Sequence, residues 1–288
     1  MILIDYSQVA ISNIAVQLAM SKDKNVLSVP MVRHMILNSI RGYIHRFKSE
    51  YPGEIVICVD GPDPWRRDIF EQYKAKRREG RNNDDKDWES VFGLIHTIKE
   101  EIRDNFPYKV VQLDKVEADD IIAVICKKNH GKKILIISGD KDFQQLQKYP
   151  DVFQYSPIQK KYVETDSPQE YIYEHILRGD TSDGEPNFLS PDDTFVNKIK
   201  QKPVSKKKLA GWIDSLMRGN DPQDFCNEYH YRNFQRNQRL IDFDYIPDDI
   251  QADIYKEYEK ATVTSRSKIL PYMIQYDLKE LIGKIEEF

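Results

Sequence analysis

Ile134-Leu135-Ile136-Ile137-Ser138-Gly139-Asp140-Lys141-Asp142 is a short apolar run that ends in a turn carrying two carboxylates. The pattern occurs twice upstream: Ile2-Leu3-Ile4 ends in Asp5, and Ile55-Val56-Ile57-Cys58-Val59 ends in Asp60. Between the second and third runs stands Glu117-Ala118-Asp119-Asp120. Such short runs of Ile and Val read as strands buried on both faces, which belong to parallel sheets flanked by helices. In these sheets the carboxyl ends of the strands line the ligand crevice. Several acids on one rim repel one another unless divalent cations neutralise them, and all-oxygen donor sets suit magnesium or manganese. The pattern points first to a metal-dependent enzyme on an α/β fold.

Apolar spacing carries the reading outward. Val32, Met35, Ile36, Ile40, Tyr43, Ile44 and Phe47 recur at helical intervals, predicting a helix over 31–50 with Pro30 in its first turn. Helices are also predicted over 86–103 and 118–128. The second starts inside the acidic motif and puts Asp119 and Asp120 in its first turn, where the helix dipole favours negative charge. Strands are predicted over 109–113 and 151–155. This alternation reaches Gly179; then 180–203 reads as a polar loop, and helices follow over 207–218, 229–238, 248–261 and 278–285. The expected division is an α/β domain over 1–180 and a helical region over 181–288.

Composition narrows the class. A chain of 288 residues, 40% hydrophobic and 31% charged, suits a globular protein with ample core. No stretch approaches ~20 apolar residues, so no membrane span is expected. The first strand begins at Ile2, leaving no room for a secretory signal, and a cytoplasmic location is expected. Cys58, Cys126 and Cys226 are odd in number and far apart, so they read as reduced thiols, and the histidines show no zinc spacing. Net charge is −4, but setting aside Asp5, Asp60, Glu117, Asp119, Asp120, Asp140, Asp142, Asp180 and Asp183 as candidate metal-site acids turns the balance positive. The working surface can then attract phosphates.

A strand-terminal aspartate alone also serves as a turn residue or helix cap. Three such ends plus the acidic cluster favour metal-assisted phosphoryl chemistry, in which paired cations hold the attacking and leaving oxygens. No Gly-rich run ends in Lys-Ser or Lys-Thr, and no glycine pair forms a dinucleotide fingerprint. Position 7 is Ser, where a phosphatase with an aspartyl nucleophile would carry a second Asp. A nuclease therefore leads. Seven basic residues lie between Arg66 and Arg81, including Arg67, Lys74, Lys76 and Arg77, interleaved with Phe70 and Tyr73 and preceded by Trp65. Placed just after Asp60, they read as a grip on single-stranded nucleic acid, cations to phosphates and rings to bases. Lys198, Lys200, Lys202, Lys206, Lys207 and Lys208 form a second cluster, read equally as a solvated face or a duplex contact. Two other classes stay open: a non-catalytic structure-specific DNA-binding protein, and a metal-dependent phosphomonoesterase.

Taken in order, Leu3-Ile4-Asp5-Tyr6-Ser7, Cys58-Val59-Asp60-Gly61, Tyr73-Lys74-Ala75-Lys76-Arg77, Val116-Glu117-Ala118-Asp119-Asp120, Ser138-Gly139-Asp140-Lys141-Asp142-Phe143 and Gly179-Asp180-Thr181-Ser182-Asp183-Gly184 resemble the phage and bacterial 5′-nucleases related to flap endonucleases, most closely their T-even phage branch. The resemblance implies a PIN-like nuclease domain, a helical arch over about 62–90 and a C-terminal helical region that binds duplex. It implies that the nine acids named above hold two magnesium ions, directly or through water, with manganese able to substitute. Glu117, Asp119 and Asp140 would serve chiefly one ion, and Asp142, Asp180 and Asp183 the other. Lys74 and Arg77, with Asp140, would be catalytic, and Tyr73 would stack beside the phosphate under attack. The implied activity is 5′-to-3′ exonuclease and 5′ flap endonuclease cleavage of RNA·DNA hybrids and flapped or nicked DNA during lagging-strand replication. Contact with a single-stranded DNA-binding protein is also implied, and a monomer suits the chain's size. Two departures stand out: the Gly-rich hairpin many relatives carry after the second aspartate pair is missing, and with Asp5 already in the first strand no clamp-docking tail is expected ahead of it.

Overall fold

The computed structural model describes residues 1–21, 26–82, 84 and 86–288. Its elements, in chain order, are β1 (Ile2–Asp5), α1 (Tyr6–Met20), α2 (Val29–Phe47), β2 (Ile55–Cys58), α3 (Arg66–Ile69), α4 (Ala75–Asn82), α5 (Trp88–Asn105), β3 (Lys109–Val111), α6 (Ala118–Lys128) and β4 (Ile134–Ile137). A 3₁₀ helix (Lys141–Lys148) leads to β5 (Val152–Ser156), β6 (Lys161–Val163) and α7 (Pro168–Arg178). After a long turn-rich segment come α8 (Lys206–Met217), α9 (Glu228–Ile241), α10 (Asp248–Lys260), α11 (Ile269–Gln275) and α12 (Lys279–Ile282). Of the expected arch, residues 83 and 85 lie outside the described residues.

The sheet runs β3-β2-β1-β4-β5-β6, parallel except for β6, which pairs antiparallel with β5. Side chains alternate across a strand, and both faces here are covered. Ile2, Ile4, Ile55, Ile57, Leu135 and Ile137 join one core with α1, α2 and α5. Leu3, Val56, Cys58, Val111, Ile134 and Ile136 join a second core with α6. That is why the strands read as unbroken apolar runs. A third core gathers Ile172, Ile176 and Leu177 of α7 with residues of α8 and α9, and takes in Phe70 and Tyr73.

The cores divide otherwise than the expected 1–180 and 181–288. Ile254 and Tyr258 of α10 pack into the α6 core, and Ile269, Tyr272, Met273 and Leu281 return to the α1–α2 core. Only the middle of the C-terminal region is a lobe of its own, and α7 belongs to it. Four elements were not anticipated: α1, β6, α7 and α11. Among the described residues, no helix is long and apolar enough to cross a membrane.

Candidate active site

In this strand order the crossover reverses between β1 and β4, and the ligand crevice opens at their carboxyl ends. Asp5 ends β1 and caps α1. Its Oδ1 accepts from Gln8 N at 3.0 Å, and its Oδ2 accepts from Ser138 Oγ at 2.9 Å. Ser138 Oγ in turn accepts from Asp140 N at 3.1 Å, so Asp5 and the Asp140 turn are fastened across the switch point. Asp140 caps the 3₁₀ helix by accepting from Asp142 N at 3.0 Å. On the other flank Asp60 accepts from Ala118 N at 2.8 Å, which holds the start of α6 against the end of β2. Gly61 follows because a Cβ there would stand 1.8 Å from the Leu113 carbonyl oxygen.

Glu117 caps α6 in a reciprocal box with Asp120. Asp120 is fully buried, and it accepts from Trp65 Nε1 at 3.0 Å, from Arg66 and from the Glu117 backbone N at 3.1 Å. The structure thus commits the Asp120 carboxylate to the protein's interior, behind Glu117. It likewise removes Arg66 from the expected phosphate contacts: at 3% exposure it pairs with Glu117 and Asp120 and donates to the Leu240 carbonyl at 2.7 Å. Trp65, Phe70 and Tyr73 are buried as well, so the interleaved rings pack the base of the arch instead of facing a strand. Tyr73 donates its hydroxyl to Glu117 at 2.8 Å.

The cations that reach the rim are Lys74 and Arg77. Lys74 Nζ lies 2.5 Å from Glu117 Oε1 and 3.5 Å from Asp183 Oδ2; Arg77 pairs with Asp183 and donates to the Ser182 carbonyl at 3.2 Å. Asp180 Oδ1 accepts from Ser182 N at 2.6 Å, a tight turn that brings Asp183 round to the arch. Asp142 and Asp180 meet at His175, which was not anticipated. Its Nδ1 is 3.2 Å from Asp142 and its Nε2 is 3.5 Å from Asp180. Ligand atoms of these three residues lie within 4.8 Å of one another. The available signal was Tyr171 and His175 at helical i, i+4 spacing, just before the Asp180 turn. Arg67 and Lys76 sit nearer the surface; Lys76 Nζ lies 4.2 Å from the Phe195 ring. Lys206, Lys207 and Lys208 are exposed in the first turn of α8, and among the described residues none pairs with a rim acid. The segment after Asp183, where a Gly-rich hairpin is missing, turns inward. Glu185, Pro186, Asn187 and Phe188 are buried, and Asn237 and Arg236 of α9 donate to the Pro186 carbonyl.

Charge crowding is the site's dominant property. Burial and the neighbouring Asp60 raise Asp5 to about 7, and burial with Asp142 raises Asp140 to about 6. Burial, Asp140 and Asp5 push Asp119 well above the carboxylate range. Glu117 goes the other way: its burial is outweighed by Lys74 and Arg66, which hold it down to about 2. Ionised carboxylates crowded this way need cationic charge beyond Lys74 and Arg77, and an oxygen-rich set with one imidazole fits divalent cations.

A parallel sheet with a carboxylate rim beside an arch of cations defines a class, the divalent-metal-dependent nucleases. Residues 1–175 match the sequence model of the 5′-3′ exonuclease N-terminal resolvase-like domain, and residues 166–288 that of the T4 RNase H C-terminal domain. Ribonuclease H of Enterobacteria phage T4 is 37% identical over 295 residues, covering 99% of this chain and 95% of that protein. DNA polymerase I of Bacillus subtilis is 26% identical over 199 residues, 62% of this chain and 22% of that one. Among solved structures, the bacteriophage T5 5′-exonuclease with bound zinc superposes with a TM-score of 0.60 at 15% identity, covering 91% of this chain and 98% of that one. The T5 flap endonuclease in a complex with DNA and metal ions gives 0.60 at 16%, covering 90% and 99%. The chain belongs to the 5′-3′ exonuclease family, in the branch with the T4 RNase H type of C-terminal region. It is a nuclease of the 5′-3′ exonuclease and flap endonuclease kind.

Proposed function

We propose that this nuclease removes RNA primers and adjacent DNA from the 5′ ends of lagging-strand fragments, cutting RNA·DNA hybrids and flapped or nicked duplex DNA in the cytoplasm of an infected cell. The observation that carries the reading is the meeting of Lys74 and Arg77, from the arch, with Glu117 and Asp183, from two separate acidic motifs. Asp5, Asp60, Glu117, Asp119 and Asp140 are the residues that would hold one magnesium ion, and Asp142, Asp180 and Asp183, with His175 beside them, a second; manganese fits the same donors. Bound there, the ions supply the charge that activates water and steadies the departing oxygen. Lys74 and Arg77 bind the phosphate under attack and neutralise the charge that builds on its oxygens. Asp120 and Arg66 act one layer behind, fixing Glu117 and tying it to α9. Duplex beyond the cleavage point lies over the lysines of α8, whose charge at a helix N-terminus opposes the dipole and is relieved by phosphate.

Incubation with 5′-labelled RNA·DNA hybrid and with flapped DNA tests this directly. Both are cut with magnesium and neither with chelator; failure to cut either with magnesium overturns the reading.

A further inference from the structure

We infer that His175 is itself a metal ligand, through Nε2, and that this nitrogen donor makes the second cation site favour later transition-series ions over magnesium, unlike the all-oxygen first site. The inference rests on the nuclease reading above and deepens it. The acidic motifs offer carboxylates only, so the imidazole alters the chemistry of the second site as well as its charge.

The backbone builds the contact. His175 lies in the last turn of α7, and Gly179 N bonds to its carbonyl at 2.8 Å. Gly179 takes a left-handed φ of +66°, and a Cβ there would stand 2.4 Å from the Glu185 carbonyl oxygen. This sharp turn brings Asp180 back to the helix end, its Oδ2 3.5 Å from His175 Nε2. Asp142 arrives separately, in the first turn of the 3₁₀ helix after β4. One donor atom from each of the three residues lies within 4.8 Å of the others, close enough to share one ion. The two ring nitrogens have different surroundings. Nδ1 faces Asp142 at 3.2 Å and the Tyr171 hydroxyl at 3.3 Å, whereas Nε2 faces Asp180. A ligating imidazole donates its other N–H to a carboxylate, which fixes the tautomer and the ring. Asp142 and Tyr171 hold Nδ1 in this way, and Nε2 is left for the ion that Asp180 shares.

Burial acts to strip the ring of its proton, but Asp142 and Asp180 outweigh it and raise His175 to about 10. The spot therefore demands positive charge. A bound divalent ion takes over that role, and the Nε2 proton leaves to water. Asp5, Asp60, Glu117, Asp119 and Asp140 offer oxygen alone, which suits magnesium and manganese, while an imidazole shifts preference toward cobalt and zinc.

Pulsed electron paramagnetic resonance on the full chain loaded with manganese reads the ligand directly. The parent shows an imidazole nitrogen coupled to manganese, with frequencies that change when its histidines carry ¹⁵N. The coupling is lost in His175→Gln and kept in His96→Gln, which alters a histidine of the groove beside Asp60. No nitrogen coupling in the parent, or a coupling that survives in His175→Gln, overturns the assignment. Titration calorimetry with cobalt and with magnesium tests the preference. His175→Gln lowers the cobalt-to-magnesium affinity ratio at least about tenfold at one site and leaves the other site's ratio where it was. An unchanged ratio at both sites overturns the preference and reduces His175 to a clamp between two carboxylates. These readouts need no substrate, so a chain that shows the nitrogen yet fails to cut with magnesium strikes the nuclease reading alone.

Discussion

Asp5 serves the fold and the site at once. It ends a strand, caps α1 through Gln8 N, and points its other oxygen to Ser138 beside the Asp140 turn. Asp140 repeats this economy by capping the 3₁₀ helix. Asparagine caps a helix about as well as aspartate but carries no charge. Asp140→Asn should therefore keep its melting temperature within a few degrees while losing at least 100-fold in cleavage, and retain binding to flapped DNA. Retained cleavage at the parent rate would remove Asp140 from the chemistry. Lys74→Ala should cost on the order of 10²–10³ in kcat, the usual loss of a charge-stabilising donor. The raised acids give a pH prediction. Asp5 and Asp140 bind a proton more tightly folded than unfolded, so their favourable contribution is complete below pH 4 and is lost as pH rises through about 6 and about 7. A divalent cation replaces those protons. The rise in melting temperature on adding magnesium in place of chelator should be larger at pH 8 than at pH 5; equal rises at both pH values would show that the crowded acids are not where the cation acts.

At the scale of elements, the strands and the acidic turns were legible because both signals are local. Unbroken Ile and Val runs need cover on two faces, and a carboxylate at the end of each marks the turn into the next element. The helix α1 was not read, since its apolar residues do not keep to one side: Ile11, Val16 and Met20 are exposed while Val9, Ile14 and Leu18 are buried. Only the capping aspartate announced it. The basic stretch after Asp60 was read as one strand-gripping surface, yet two short helices and a turn sort it into a buried half, with Trp65, Arg66, Phe70 and Tyr73, and a half facing the rim, with Lys74 and Arg77. What decides the sorting is the distant partner of each residue: Asp120 and Leu240 for Arg66, Glu117 for Tyr73. Sequence spacing carries no trace of such partners. His175 was missed for the same reason, because its two acids come from turns 33 residues before and five after it in the chain. The turn at Gly61 offers a test at this scale. A methyl group there would run into the Leu113 carbonyl, and Gly61 N is bonded to the Val116 carbonyl at 2.8 Å, so the backbone cannot back away cheaply. Gly61→Ala should destabilise the fold by about 3 kcal/mol, the upper part of the usual cost of overpacking, and urea unfolding would measure it. A loss below about 1 kcal/mol would mean that the β2–β3 rim yields more readily than its hydrogen bonds suggest.

For the whole molecule, the chain's return path matters most. After building the lobe of α7 to α9 it comes back, with α10 on the α6 core and α11 and α12 on the α1–α2 core. Glu101 of α5 makes this closure specific, accepting two bonds from Arg33 of α2, at 2.8 and 2.9 Å, and one from Tyr272 of α11 at 2.7 Å. The lobe is therefore held at both of its ends, and Arg66 adds a third tie from the acid motif to Leu240. A duplex resting on α8 would be kept at a fixed distance from the rim. Lys206, Lys207 and Lys208 occupy the first turn of α8 behind the Ser205 cap, where acids would suit the helix dipole better than lysines. Replacing all three by glutamate thus leaves α8 at least as stable as before, and any change in binding belongs to the lost phosphate contacts. Each contact contributes about 0.9 to the slope of log affinity against log salt. The triple variant should bind nicked duplex more weakly and lower that slope by about 2 to 3, with helical circular dichroism unchanged. If affinity and slope both hold, the duplex runs elsewhere on the molecule, and the lobe's part in cleavage is confined to presenting Asp180 and Asp183 to the arch.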